Sequence, residues 1–226
     1  MNRFGRRVSL ALLLLTAGGI AVAAAGTPDL SGPWLIDKPV ASLTTIDGNA
    51  PPLRAEATMR YILIKEARDK GDKKYDTMAS CLPPGVPRLS LQPFPWTIVQ
   101  DGQHLRFVYE WNQLQRDVYM EGEHVDASGS TYLGHSIGKW EGNTLVVDTS
   151  HYNNSTLLDD SGLPHSDALQ TIERYRLTKG GKVLELIVKI TDAQSYLKPW
   201  EARITFKKMP GTLLKEDDCL KRAGTK

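Results

Sequence analysis

From Trp96 onward, short strand-forming segments of the sequence alternate with tight turns that contain glycine. WTIVQDGQHLRFVYEW turns at residues 101–102, RDVYMEGEHV at Gly122, and IGKWEGNTLVVDT at residues 141–143. About eight to ten such strands follow one another. An open meander of that size would expose two unpaired edges. The pattern therefore predicts a mainly β fold, an antiparallel up-and-down β-barrel, with a two-sheet β-sandwich as the alternative.

One helix is predicted before these strands. The stretch PPLRAEATMRYILIKEARDKG begins with prolines at 51–52, continues with good helix formers and ends at Gly71. It predicts a helical insertion near residues 53–70, with Met59, Ile62 and Ala67 roughly on one face and Leu63 and Ile64 alongside.

The first 25 residues have the pattern of a cleaved export signal. Three arginines are followed by an apolar stretch, and small residues end at Ala25. The pattern predicts removal of residues 1–25 and a single β-barrel domain over residues 26–226, periplasmic or secreted, with no membrane anchor. The choice between the Sec and the twin-arginine route stays open.

Removal of this segment changes the charge of the chain. It takes away three of the 28 basic residues and none of the 26 acidic ones, which leaves a net charge of about −1. No basic patch then favours a nucleic acid or an anionic membrane as partner, and no phosphate-binding glycine motif is present in the sequence. The oligomeric state is not predicted.

The sequence contains two cysteines, Cys81 and Cys219. An exported protein meets oxidising conditions, so we predict a disulfide between them. They lack the C-x-x-C spacing that a metal site would favour.

The segment GHSIG, residues 134–138, matches the G-x-S-x-G motif of serine hydrolases. That motif needs a strand, a sharp turn at the serine and then a helix. Here the following residues predict strand, turn and strand, so we disfavour Ser136 as a nucleophile. The two glycines are predicted to serve a bend or a close approach of the backbone.

Histidines are concentrated between residues 124 and 165, at predicted turns and strand ends: His124, His135, His151 and His165. Imidazole titrates near neutral pH, so some of them could act as acid–base groups at the mouth of the barrel. The alternative is a divalent metal held with Asp148 or Glu173, although the local spacing of metal ligands is missing. No cofactor is predicted.

Glu173 is placed inward by strand alternation. In TIERYRL it shares a face with Tyr175 and Leu177, which are typical of an interior. A buried carboxylate is either paired or protonated. Glu173 is thus a candidate acid, or one half of an ion pair with Arg116. Substrate binding is assigned to a set of aromatic and basic residues near strand ends: Tyr119, Arg116, Tyr196 and Trp200.

Several longer motifs carry a family resemblance. CLPPGVPR, GHSIGKWEGNTLVVDT, GLPHSDALQTIERYR and YLKPW resemble a group of exported bacterial proteins without a settled activity. The chain differs from that group at residues 151–152, where the group has Gly-Phe, and at residues 121–123, where it often has Asp-Gly-Arg. The Gly-x-Trp of DLSGPW resembles the first strand of lipocalins, which implies a lipocalin-like barrel with Arg203 or another late basic residue stacked on Trp34.

Together these observations predict an exported barrel that takes a small, partly apolar or aromatic molecule into its interior. Acid–base chemistry of the isomerase, hydratase or lyase type is assigned to four residues: His135, His165, Glu173 and Asp148. A carrier without chemistry and a His/carboxylate metal-binding protein are the alternatives.

Overall fold

The computed structural model describes residues 26–101, 104–124, 129–222 and 224. The predicted export signal, residues 1–25, lies outside the described residues. Over the described part, the chain is mainly β, which confirms the predicted fold class.

Nine strands of the described chain form one closed barrel, so the barrel prediction is confirmed over the sandwich alternative. Each strand pairs with the next along the sequence, and the last pairs with the first. The strands are β1 Gly32–Ile36, β2 Trp96–Gln100, β3 His104–Tyr109, β4 Gln115–Tyr119, β5 His135–Glu141, β6 Thr144–Ser150, β7 Gln170–Thr178, β8 Val183–Thr191 and β9 Trp200–Lys208.

One strand pair departs from the predicted antiparallel order. β4 and β5 are parallel, with Val118 opposite Ser136 and Tyr119 opposite Ile137. The predicted hairpin at Gly122 is therefore wrong. A parallel pair needs a connection that returns the chain to the same end of the sheet, and the long segment between β4 and β5 provides that length.

Three helices accompany the barrel in the described chain: α1 Ala55–Asp69, α2 Arg88–Leu91 and α3 Cys219–Arg222. None of the helices in the described ranges is long and apolar enough to cross a membrane. Helix α1 lies within the predicted range 53–70, but its predicted apolar face is wrong. Met59 and Ile62 are 66% and 48% exposed, whereas Ile64 is buried.

The reason for this orientation is a glycine contact. Gly162 has a φ of +101°, and a Cβ there would lie 2.6 Å from Ile64 Cγ2, so only glycine lets the helix approach this closely. Arg60 then holds the helix on the same loop region by donating hydrogen bonds to the carbonyls of His165 and Asn154. Local periodicity cannot reveal such a partner.

Aromatic side chains fill one part of the barrel. Trp34 is fully buried, and its indole Nε1 donates to the Leu30 carbonyl at 2.9 Å. Trp96 packs edge-on against Phe206, with ring centroids 4.9 Å apart. The cation over Trp34 is Lys208, whose Nζ lies 5.4 Å from the ring centroid. The late basic residue that stacks on Trp34 is therefore Lys208 and not Arg203, because the register of β9 places Lys208 opposite Trp34.

The predicted disulfide is confirmed. Cys81 and Cys219 are joined, with an Sγ–Sγ distance of 2.08 Å, and they are 138 positions apart in sequence. The bridge fastens the C-terminal helix α3 to the segment that precedes α2. A second tether lies beside the disulfide. The Asn112 side-chain oxygen accepts a hydrogen bond from the backbone N–H of Cys219, and the backbone N–H of Asn112 donates to the Asp217 carboxylate.

Candidate functional site

Ser136 lies inside β5 and points into the barrel. Its side chain is buried, and its hydroxyl accepts a hydrogen bond from Arg116 Nε at 3.0 Å. β5 runs through a turn into β6, so the strand–turn–strand context that disfavoured a nucleophile is confirmed. The predicted close approach of the glycines is confirmed too. A Cβ on Gly134 would lie 2.6 Å from the Ser150 carbonyl oxygen, and one on Gly138 would lie 2.7 Å from Val118 Cγ1.

An ion pair occupies the middle of the barrel. Arg116 and Glu173 face each other with two hydrogen bonds, one of them from Nη1 to Oε1 at 3.2 Å and the other from Nη2 to Oε2. Tyr175 donates its hydroxyl to Glu173 Oε1 at 2.7 Å, and Arg116 Nη2 donates to Thr149 at 2.8 Å. The inward orientation predicted for Glu173 is confirmed, and Arg116 is the partner proposed for it.

Electrostatics keep the Arg116 guanidinium charged inside the barrel. Burial opposes the charge of Arg116, but attraction and hydrogen bonding to Glu173 outweigh burial and raise the guanidinium pKa well above its usual value. Burial also raises the pKa of Tyr175 well above its ordinary range, and the adjacent carboxylate adds to this effect. Tyr175 therefore stays a hydroxyl donor.

The described side chains pack closely around the ion pair. Glu173, Tyr175 and Phe107 have 0% exposure, and Arg116 has 3%. A side chain without accessible area borders no void that admits a water molecule. A ligand would have to displace this network before it could touch Glu173, so we place the candidate site elsewhere.

His165 is buried in the loop region between β6 and β7. Its Nδ1 donates to the Ser166 carbonyl at 2.8 Å, which leaves Nε2 to accept from the Thr156 hydroxyl at 2.7 Å. These contacts fit a neutral imidazole, and burial lowers the His165 pKa. His165 is thus separated from the other candidate catalytic residues and serves the packing of its loop.

This environment makes stability dependent on pH. The folded protein resists protonation of His165, whereas the unfolded chain protonates it near pH 6.5. The stabilisation is therefore complete above pH 6.5 and is lost as the pH falls below that value, by up to about 1.4 kcal/mol per pH unit. Between pH 7.5 and 5, the free energy of unfolding measured with urea should fall less in His165→Gln than in the unmodified protein. His104→Gln, which changes an exposed imidazole, is the control, and an unchanged loss in His165→Gln would contradict the assignment.

A second group of polar side chains lies on the outer face of the barrel. Because Ser136 points inward, its neighbour His135 points outward, as does Asp148 on β6. His124, from the segment after β4, completes what we call the His–Asp cluster: His124, His135 and Asp148. The Nδ1 atoms of His124 and His135 are 3.1 Å apart, and His124 Nε2 lies 3.5 Å from Asp148 Oδ1.

The short Nδ1–Nδ1 contact restricts the protonation of both rings. One of the two nitrogens must donate and the other must accept. If His135 donates, the proton of His124 lies on Nε2 and faces the Asp148 carboxylate, which is the favourable arrangement. His135 is neutral near pH 7, because burial and repulsion from His124 and His151 lower its pKa. His135 therefore fixes the tautomer that places a proton between His124 and Asp148.

His124 and Asp148 form a wall between two surface clefts. The first, which we call the outer cleft, has a volume of about 370 Å³. Its floor is apolar and consists of the outward side chains of Ile137, Val146 and Ile172. The second cleft, of about 510 Å³, continues past His124 and Asp148 towards Ser150 and His151. Titratable groups and an apolar floor thus meet at one place.

Tyr119 belongs to the same face. It is 41% exposed and stacks on His135 with ring centroids 5.3 Å apart, and it also meets His104 edge-on with centroids 5.7 Å apart. It therefore supports His135 from outside the barrel and does not line the interior. His151 lies near the cluster, with its ring centroid 6.0 Å from that of His124.

The other predicted binding aromatics lie apart from the cluster. Tyr196 is buried and donates its hydroxyl to the Pro164 carbonyl at 2.8 Å. Trp200 packs on Tyr196 and lines a separate cleft of about 510 Å³ with Lys189, Lys198 and Glu201. That cleft is larger than the outer cleft, but no histidine lines it, so it offers no imidazole for proton transfer.

The structure thus divides the predicted catalytic residues among three places. His135 and Asp148 lie together outside the barrel, Glu173 lies inside, and His165 lies in a loop. His124 was recognised in the sequence only as one histidine among several. The contact between His124 and His135 was not predicted, because a hairpin was expected at Gly122. The contact depends instead on the parallel pairing of β4 and β5.

Metal ligation was the alternative role for these histidines. Over the described ranges, no group of three or more His, Cys, Asp or Glu side chains is arranged to hold a metal ion. The metal alternative stays a prediction.

No family model and no curated protein matches this chain. Among solved structures, it is similar to the REP1-NXSQ fatty acid transporter, with 14% sequence identity and a TM-score of 0.39. The match covers 81% of this chain and 98% of that one. A likeness this distant transfers no function to the present chain.

Proposed function

We propose that the protein binds a small, partly apolar or aromatic molecule in the outer cleft and moves a proton on it. The Asp148 carboxylate takes the proton from one position of the ligand and returns it to another, His124 Nε2–H donates a hydrogen bond to the ligand where negative charge develops, and His135 is a positioning residue that sets the tautomer of His124. Isomerisation, elimination and hydration all need such a pair of groups. This proposal moves the binding site predicted for the interior to the outside of the same barrel.

One observation carries the proposal. His124 Nε2 is buried and makes no hydrogen bond to any described residue, although it lies 3.5 Å from Asp148 Oδ1. A buried polar atom without a partner is costly, and such atoms concentrate where a ligand completes the contacts. Catalytic hydrogen bonds are often long before substrate binds. The apolar floor beside this nitrogen supplies the surface on which a partly apolar ligand would pack.

The proposal is tested with a panel of small aromatic ketones and acids that carry an acidic C–H. Methyl NMR signals of Ile137, Val146 and Ile172 report binding, and deuterium uptake by the compound in D₂O reports proton transfer. Asp148→Asn should slow the exchange about 100-fold or more, because a positioned base contributes roughly that factor. Asp148 is 55% exposed, so the substitution should leave the fold intact.

Two controls make the outcome decisive. His104→Gln changes an exposed histidine outside the cluster and should leave exchange and binding unchanged. His135→Gln should shift the pH profile of exchange while affinity stays within a few-fold, as expected of a positioning residue. Unperturbed methyl signals with every compound would exclude the binding site, and full exchange by Asp148→Asn would exclude the chemistry.

We further propose that the protein works outside the cytoplasm, periplasmic or secreted. The basic and apolar pattern of residues 1–25 supports export. The Cys81–Cys219 disulfide supports an oxidising compartment. Mass spectrometry of the protein recovered from the expressing cells tests this, because cleavage predicts a chain that begins at Gly26.

A further inference from the structure

Arg174 is placed at the outer cleft by the alternation of β7. Glu173 and Tyr175 point into the barrel, so Arg174 between them points outward. Its cross-strand neighbours on the outer face are Val146 on β6 and Ile187 on β8. Arg174 is half-buried and lines the same cleft as His124 and Asp148.

Two neighbouring basic side chains, unlike Arg174, have carboxylate partners. On the same strand, Arg176 donates to Glu185 at 2.9 Å. Across the cleft, Lys139 Nζ lies 2.8 Å from Glu141. Among the described residues, Arg174 makes no hydrogen bond and has no carboxylate within 4.0 Å. The N–H groups of its guanidinium therefore lie beside the apolar floor of the cleft, and no described residue accepts a hydrogen bond from them.

We propose that the outer cleft takes a molecule whose apolar body ends in a carboxylate, and that Arg174 binds this carboxylate. A guanidinium and a carboxylate match in a planar, two-bond contact, which is strong where water is partly excluded. The apolar body lies on Ile137, Val146 and Ile172, and the far end of the ligand faces His124 and Asp148. This inference rests on the proposed binding function and adds the chemical class of the ligand.

None of the acidic side chains that line the described part of the cleft forms an ion pair with Arg174. Glu141 is paired with Lys139, and hydrogen bonding and attraction to that lysine lower the pKa of Glu141; the charge of Arg174 adds a smaller attraction from beyond 4.0 Å. Asp148 faces His124. Glu123 is exposed at the rim, where water screens its charge. A phosphate would favour a second unpaired cation, and Lys139 is already engaged, so a singly charged carboxylate fits the charges better.

The test compares 1-naphthoate with its neutral analogue 1-naphthamide by titration calorimetry. The unmodified protein should bind the acid more tightly than the amide. Arg174→Gln should weaken binding of the acid about 10-fold or more, the range expected for a charge-assisted contact, and leave the amide unchanged. Arg176→Gln is the matched control, because it removes an outward arginine from the same strand outside the cleft. It should change neither affinity.

The outcomes separate this inference from the proposed function. Equal affinity for acid and amide, or an acid affinity unchanged by Arg174→Gln, overturns the carboxylate assignment and leaves the binding site standing. Tighter binding of 1-naphthyl phosphate than of 1-naphthoate overturns it in favour of a phosphate. Absence of binding by all three compounds, with unperturbed methyl signals at Ile172, overturns both.

Discussion

Replacing both Cys81 and Cys219 by alanine should lower the free energy of unfolding by about 5 kcal/mol. The bridge joins residues 138 apart in sequence, and the loss of chain entropy that a cross-link imposes on the unfolded state grows with the length of the closed loop. The second tether at Asn112 holds the same region by hydrogen bonds alone, so it cannot replace the constraint on the unfolded chain.

Urea unfolding followed by tryptophan fluorescence measures this loss. Alanine is preferred to serine because Cys219 is 5% exposed and a hydroxyl would be buried there. The oxidised protein and the same protein treated with dithiothreitol provide an internal comparison, and the reduced form should match the double variant. A difference below about 1 kcal/mol would show that the unfolded chain is already restricted without the bridge.

Glu173→Ala should lower the free energy of unfolding by about 3–5 kcal/mol. The substitution leaves the Arg116 charge inside the barrel, at 3% exposure, without its carboxylate. The remaining acceptors of Arg116 are the hydroxyls of Ser136 and Thr149, which cannot neutralise the charge. An unpaired charge in such a place is among the costliest defects of a protein interior.

Two further variants separate charge from packing. Asp117→Ala breaks the exposed Arg106–Asp117 pair, whose side chains are 50% and 40% exposed, and should destabilise the fold far less than Glu173→Ala. The double variant Arg116→Met, Glu173→Leu removes both charges and should recover most of the stability lost in Glu173→Ala. A double variant as unstable as the single one would show that shape, and not charge, governs this position.

The features that the sequence predicted correctly depend on local patterns or on composition. The inward orientation of Glu173 follows from alternation along one strand, and the cysteine bridge follows from two cysteines in a chain with an export pattern. The pairing of Ile137 with Asp148 follows from the hairpin at residues 141–143, because a tight turn fixes the register of its strands. The sequence predicted His135 and Asp148 to act together in the interior with Glu173 and His165, whereas the register of this hairpin places the two on the outer face.

The features that the sequence missed depend on contacts between distant segments. The buried face of α1 is set by Gly162, which lies about a hundred residues further along the chain. The place of His124 is set by a parallel strand pair whose connection resembles a hairpin turn in sequence. The filled interior is set by several strands at once, and alternation along one strand does not show how closely the other strands pack around Glu173.

The pairing of β1 with β9 also governs how the chain reaches its fold. Trp34 lies opposite Lys208, so the last seam of the barrel joins two ends of the described chain. Contacts between segments so distant in sequence raise the contact order, and closing such a seam is slow because a long loop must first be ordered. Until the seam closes, β1 and β9 each present an open edge to other chains. We therefore expect protein concentration, more than the stability of the finished barrel, to limit the yield of refolding.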